Sequence, residues 1–173
     1  MKINFLKFFI FSFVIFILSI FWLGLKKDNN YNTKSLTGSK ISSFQLPSIY
    51  NNDIISEKDL MISQFTLINF FASWCAPCRA EHKYLINLAK QNKSLKILGI
   101  NFKDKKKNAL NFLNELGDPY SFVAKDRDGK ASILFGIYGI PETIVINKEL
   151  KIIKKIMGPI DQKQFEEILK LTQ

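Results

Sequence analysis

The chain holds two cysteines, Cys75 and Cys78, within the run Trp74-Cys75-Ala76-Pro77-Cys78. Two thiols at this spacing can cycle between dithiol and disulfide, supply half of a metal site, or anchor heme. An apolar run ends just before them, and Pro77 suits the first turn of a helix, where its missing N–H loses nothing. Such a junction brings one sulfur close to the unpaired N–H groups of a helix start, whose partial positive charge favours thiolate over thiol. Cys75 is therefore the expected nucleophile. Cys78, one turn later, is the expected resolving thiol: it attacks a mixed disulfide at Cys75, releases the partner and closes the internal disulfide. No cofactor beyond this redox-active pair is implied.

The other uses of the spacing fit the composition poorly. A structural zinc needs four ligands, and beyond the two thiols the chain offers one histidine, His82, and carboxylates. Zinc would have to be shared between two chains. Covalent heme needs histidine directly after the second cysteine, and position 79 is Arg. A purely structural disulfide across so short a loop would remove little unfolded-state entropy from a chain long enough to bury its own core. A metal carrier built on the two thiolates, for instance for copper, is the weaker alternative, because Met1, Met61, Met157 and His82 form no soft-ligand cluster. No metal site is expected. The formal net charge of +10 raises the question of nucleic acid. Arg79 and Arg127 are the only arginines, however, and the lysines are spread along the chain beside abundant Asn, Ile and Phe, as AT-rich codon usage would produce. The densest run, Lys103 to Lys107, fits the solvated start of a helix, so no nucleic-acid partner is expected.

The elements that position the dithiol follow from hydrophobic periodicity. Phe65 to Phe71 is a short β-branched and aromatic run, the pattern of a central strand buried on both faces. From Ala76 to Gln91 apolar residues recur at helical spacing, with Tyr84, Leu85, Leu88 and Ala89 as the stripe. Lys96 to Asn101 reads as a second strand, and Lys105 to Leu116 as a helix ended by Gly117-Asp118-Pro119. Strand, helix, strand, helix implies a parallel sheet. Glu142 to Ile146 and Lys151 to Ile156 flank a short polar turn and read as an antiparallel hairpin. A last helix starts near Asp161, with Gln164 at capping-box spacing. By their own pattern, Glu81 and His82 belong to a solvated helix face.

An α/β half followed by a ββα half, with C-x-x-C after an early strand, resembles the thioredoxin fold: an α/β class with a central mixed sheet flanked by helices. Residues 41–173 would form that domain, with an N-terminal extension that includes Ser43-Phe44-Gln45-Leu46-Pro47. The resemblance narrows with Cys78-Arg79-Ala80-Glu81-His82-Lys83-Tyr84-Leu85, Asn101-Phe102-Lys103-Asp104, Gly117-Asp118-Pro119-Tyr120 and Tyr138-Gly139-Ile140-Pro141-Glu142-Thr143. In that order these motifs are similar to the DsbE/CcmG family, membrane-anchored thiol–disulfide oxidoreductases of cytochrome c biogenesis. The resemblance implies roles. Ile140-Pro141 would be a cis-proline loop that packs on the dithiol and offers backbone groups to a peptide, with Pro141 giving the sharp turn. Tyr138 and Glu142 would border the active-site groove together with Trp74, Ala76 and Pro77. Glu81 would lie below the cysteines. Asn69 departs from ordinary thioredoxin, which has a buried aspartate six residues before the first cysteine. An amide cannot take a proton, so Glu81 or Glu142 would tune the Cys75 pKa and accept the proton of Cys78.

Phe8 to Leu25 carries no charge and would span roughly 27 Å as a helix, close to a bilayer's hydrocarbon thickness. No small-residue cleavage site follows it, so an uncleaved anchor through the lipid bilayer is expected, with residues 1–7 as a short cytoplasmic tail. Trp22 fits an interfacial position. Lys2 and Lys7 balance Lys26 and Lys27, so orientation rests on the short tail and the resemblance, which place the domain in the periplasm, tethered to the inner membrane by the polar linker 26–40. Ala76-Pro77 puts no cation between the cysteines, which argues for a reductant. A reductant outside the cytoplasm implies a membrane electron donor, of the DsbD/CcdA type by the resemblance. Its implied client is apocytochrome c or a cytochrome c maturation protein. A general disulfide reductase of the TlpA or ResA type would use the same chemistry on another client.

Overall fold

The computed structural model describes residues 2–25 and 37–172, and the chain divides into two compact units, residues 1–32 and 33–173. The first contains one helix, α1 (Lys2–Leu25). Its stretch Phe5–Leu23 has a mean hydropathy of 2.4 and is long and apolar enough to cross a membrane. Large side chains such as Phe9, Phe16 and Phe21 are exposed all along it, as a helix apolar on every side requires of its surroundings. Of the expected linker, residues 26–36 lie outside the described residues.

The second unit begins with a small antiparallel pair, β1 (Gln45–Pro47) and β2 (Ile54–Ser56), followed by the short α2 (Glu57–Leu60). Next come β3 (Phe65–Phe71), α3 (Ala76–Gln91), β4 (Lys96–Phe102), α4 (Lys106–Leu116), β5 (Phe122–Asp126) and α5 (Lys130–Leu134). The chain closes with β6 (Glu142–Asn147), β7 (Ile152–Met157) and α6 (Gln162–Thr172). Five strands form one sheet in the order β5-β4-β3-β6-β7. The pairs β3–β4 and β4–β5 are parallel, whereas β3–β6 and β6–β7 are antiparallel. The mixed sheet expected from the sequence is therefore present. Asp161 and Gln164 exchange side-chain and backbone hydrogen bonds of 2.9 Å at the start of α6, a complete capping box.

β3 is central because every residue from Thr66 to Phe71 is buried, so it can only survive with neighbours on both edges and layers on both faces. One face packs Ile68 and Phe70 with Leu98, Ile144, Phe44 and Phe135. The other packs Leu67 with Leu85 and Leu88 of α3 and with Phe165 and Ile168 of α6. At its C-terminal end, Phe71 joins Phe112, Leu113, Val123 and both cysteines. Each such apolar side chain contributes on the order of 1.5–3 kcal/mol of burial. The rigid end of β3 and the first turn of α3 thus fix where the dithiol sits.

Candidate active site

Cys75 and Cys78 form a disulfide with Cα atoms 5.3 Å apart. Cys75 occupies the N-cap of α3, and the backbone N–H of Cys78 points at its sulfur at 3.2 Å, the helix-start donor that would hold a thiolate there. Cys78 is more deeply buried than Cys75, 1% against 5% exposed, while Trp74, Ala76 and Pro77 are exposed around them. The turn that delivers them is clamped from β4: Asp104 accepts from the N–H of Ser73 at 2.7 Å and from its hydroxyl at 3.0 Å, and Asn101 donates to the same carboxylate. Trp74 Nε1 donates to the Lys103 carbonyl at 3.3 Å. Asp104 stands in a motif legible in the sequence, but its part in holding the turn was not.

Glu81 lies one turn beyond Cys78 on α3, on the same side of the helix. It is 1% exposed and His82 is 2% exposed, so the solvated-face reading of this pair is overturned. The pattern misled because the partners that cover this face, Asn69 and Ile160 for Glu81 and Phe112 and Gly117 for His82, come from distant parts of the chain. One Glu81 oxygen accepts from Asn69 Nδ2 at 2.8 Å and the other from the N–H of Ile160 at 2.7 Å. Burial raises the Glu81 carboxyl to about 7, and the two donated hydrogen bonds oppose the rise only partly. His82 donates from Nε2 to the Gly117 carbonyl, 2.8 Å away, and stands edge-on to Phe112. Burial lowers its pKa, so the ring is neutral near pH 7.

Asn69 is fully used. Its amide donates to Glu81 and to Thr143 Oγ1, and its oxygen accepts from the Tyr120 hydroxyl at 2.8 Å. Those partners fix which end of the amide faces Glu81. An aspartate here would set a second carboxylate against Glu81, which accounts for the departure noted in the sequence. Tyr120 reaches Asn69 by lying over Gly99 of β4, where a Cβ would meet its ring at 2.9 Å, and by stacking on Phe71. Burial also pushes the Tyr120 phenol well above its ordinary pKa, so it stays a donor.

The Ile140–Pro141 peptide is cis, and the Ile140 carbonyl oxygen lies 3.8 Å from Cys75 Sγ. Glu142, the first residue of β6, is 3% exposed. One of its oxygens gathers the N–H groups of Tyr138 and Gly139 at 2.9 and 3.0 Å. The other faces Lys155 Nζ at 2.9 Å, an ionic contact rather than a well-directed hydrogen bond. Tyr138 itself is 74% exposed. Lys155 was not singled out in the sequence. The available signal is the pair Lys154-Lys155 inside a strand, since adjacent strand residues point to opposite faces and the two lysines cannot both lie on one side of the sheet.

A five-stranded mixed sheet, a disulfide at the N-terminus of the helix after its central strand, and a cis-proline loop against that disulfide define a thioredoxin-like thiol:disulfide oxidoreductase. Comparison with known proteins places the chain within that class. Residues 36–170 match the Redoxin family. The chain is 35% identical over 149 residues to the thiol:disulfide interchange protein DsbE of Allochromatium vinosum, covering 86% of this chain and 82% of that protein. It is 39% identical over 147 residues to DsbE of Pseudomonas aeruginosa, covering 84% and 80%. The thioredoxin domain of a thiol–disulfide oxidoreductase from Bacteroides vulgatus superposes with a TM-score of 0.69 at 20% identity, over 79% of this chain and 98% of that one. The chain belongs to the Redoxin family and, within it, to the DsbE/CcmG-type thiol:disulfide interchange proteins.

Proposed function

We propose that this protein is a single-pass inner-membrane reductase whose redox domain faces the periplasm, where it reduces the heme-binding cysteines of apocytochrome c or their mixed disulfide with a maturation protein. The reading rests on membership of the DsbE/CcmG type. It is supported by the apolar helix Phe5–Leu23 and by the absence of any cation between the cysteines, which leaves the Cys78 N–H as the helix-start donor to Cys75. In the reducing direction the Cys75 thiolate attacks one sulfur of the client disulfide, and the other client sulfur leaves as a thiolate that takes a proton from water. Cys78 then gives its proton to the Glu81 carboxylate and attacks Cys75. The mixed disulfide breaks, its client sulfur leaves as a thiolate that takes up the proton released by Glu81 through water, and the protein is left as the Cys75–Cys78 disulfide. A donor of the DsbD/CcdA type would restore the dithiol.

Trapping tests this reading. In membranes carrying the Cys78→Ser variant, mixed disulfides through Cys75 are expected to hold apocytochrome c or cytochrome c maturation proteins, identified by mass spectrometry. Recovery of unrelated clients alone would transfer the protein to the TlpA/ResA kind of general reductase. Full-length protein is expected to resist carbonate extraction, and its release as a trimmed soluble form would show the helix to be a cleaved signal.

A further inference from the structure

Among the described residues, Lys155 is a lysine whose side chain is only 1% exposed, paired with a Glu142 side chain 4% exposed. Lysine is almost never buried without a reason, since its desolvation is compensated only by a partner held in good geometry. The register supplies that partner. Lys155 stands opposite Ile144, and Glu142 opposite Met157, so Lys155 and Glu142 are diagonal neighbours on one face of the β6–β7 pair, within reach of a long side chain. Lys154, on the other face, pairs with Glu167 of α6.

Two further contacts of the Lys155 ammonium fall on the loop that faces Cys75. It donates to the Gly136 carbonyl and lies 5.2 Å from the centre of the Tyr138 ring. Glu142 in turn holds the N–H groups of Tyr138 and Gly139. The ion pair therefore fastens residues 136, 138 and 139 from beneath, directly before Ile140, whose carbonyl meets Cys75 Sγ. Tyr138 and Gly139 remain on the surface, where a peptide disulfide must approach.

We propose that Lys155 is a positioning residue for client binding: paired with Glu142, it presets the backbone from Gly136 to Ile140 in the shape that receives the peptide. It touches neither client nor sulfur. Presetting a binding loop strengthens binding by lowering what must be ordered on association, so its loss should appear in KM rather than in the bond-exchange step. The inference rests on the thiol:disulfide interchange activity and not on the identity of the client, so it stands or falls apart from the cytochrome reading.

The test compares wild type, Lys155→Met, and the double variant Lys155→Met/Glu142→Gln, which leaves no buried lone charge if the single variant folds poorly. The substrate is a synthetic peptide with one internal Cys-x-x-Cys disulfide, and thermal unfolding and the glutathione redox equilibrium are measured alongside. The expected result is a KM raised about tenfold in Lys155→Met with kcat changed less than about threefold. The double variant should recover thermal stability while KM stays high, and the amide protons of Tyr138 and Gly139 should exchange faster with solvent in both. An unchanged KM in the double variant, or a KM that recovers together with stability, would overturn the proposal and leave the pair a stabilising contact only. A glutathione equilibrium shifted as much as KM would also overturn it, because the pair would then act on the dithiol itself.

Discussion

Two buried carboxylates flank one disulfide, and only one of them has a cation against it. Glu81 on α3 is 1% exposed and Glu142 on β6 is 3% exposed. Each accepts two N–H hydrogen bonds. Glu142 also has a lysine against it, and Glu81 has no cation within its hydrogen-bonding set. Without a counter-charge, burial governs Glu81 and brings its pKa to about 7, where it can hold or yield a proton near neutrality. With one, Glu142 is half of an ion pair that holds backbone. Burial alone does not assign a role to an acidic residue beside a thiol; the presence or absence of a partner charge does.

The comparison assumes that the chemistry runs through Cys75, and removing that sulfur has the largest effect. Cys75→Ser should lose disulfide reduction by more than about a thousandfold and form no mixed disulfide, whereas Cys78→Ser should stall with the client attached. A stalled adduct on Cys78 would reverse the assignment of nucleophile and resolving thiol.

The next effect is on stability and concerns Glu81 alone. The Glu81 carboxyl is raised in the folded protein from an ordinary 4.5 to about 7. Its contribution is then fully present below about pH 4.5 and is lost as pH rises through 7, because the unfolded chain ionises first. Unfolding free energy of oxidised wild type minus that of Glu81→Gln should therefore fall between pH 4.5 and 8, by as much as about 3 kcal/mol. The change of that difference with pH excludes the constant cost of the altered hydrogen bonds. A flat difference in urea titrations would mean that Glu81 is not a perturbed acid.

A smaller effect is kinetic. Glu81→Gln should slow release from a preformed mixed disulfide at pH 7 by at least about tenfold, since the acceptor for the Cys78 proton is gone. The same change should lower the Cys75 pKa by roughly one unit, as an ionised carboxylate near a forming thiolate is removed. Thiolate absorbance against pH and rapid-quench mass spectrometry give the two quantities, and an unaltered release rate would leave Glu81 a structural acceptor.

Legibility in the sequence followed distance along the chain. The strand Phe65–Phe71 and the helix Ala76–Gln91 were readable because each carries its own periodicity, and the dithiol lies at their junction. The strand Phe122–Asp126 was not, because five residues with Lys125 and Asp126 at the end form too short a run, and only parallel pairing with β4 makes it a strand. The same contrast holds within the site. Cys75, Cys78 and Pro141 were visible as motifs. The environment of Glu81 depends on Ile160, 79 residues away, and on Asn69 from another element, so its burial could be inferred only through the family resemblance. Lys155 lies in a strand with a visible pattern of its own, yet its partner across the hairpin is set by a register that the sequence does not display.

The division of labour is tested most directly by following the carboxyl carbon of Glu81 by NMR against pH in the oxidised protein, where neither cysteine titrates. The account predicts a midpoint near 7 that is absent in Glu81→Gln. A midpoint near the ordinary 4.5 would contradict it, because a carboxyl already ionised well below neutrality would be no better matched to the proton of Cys78 than one on the surface.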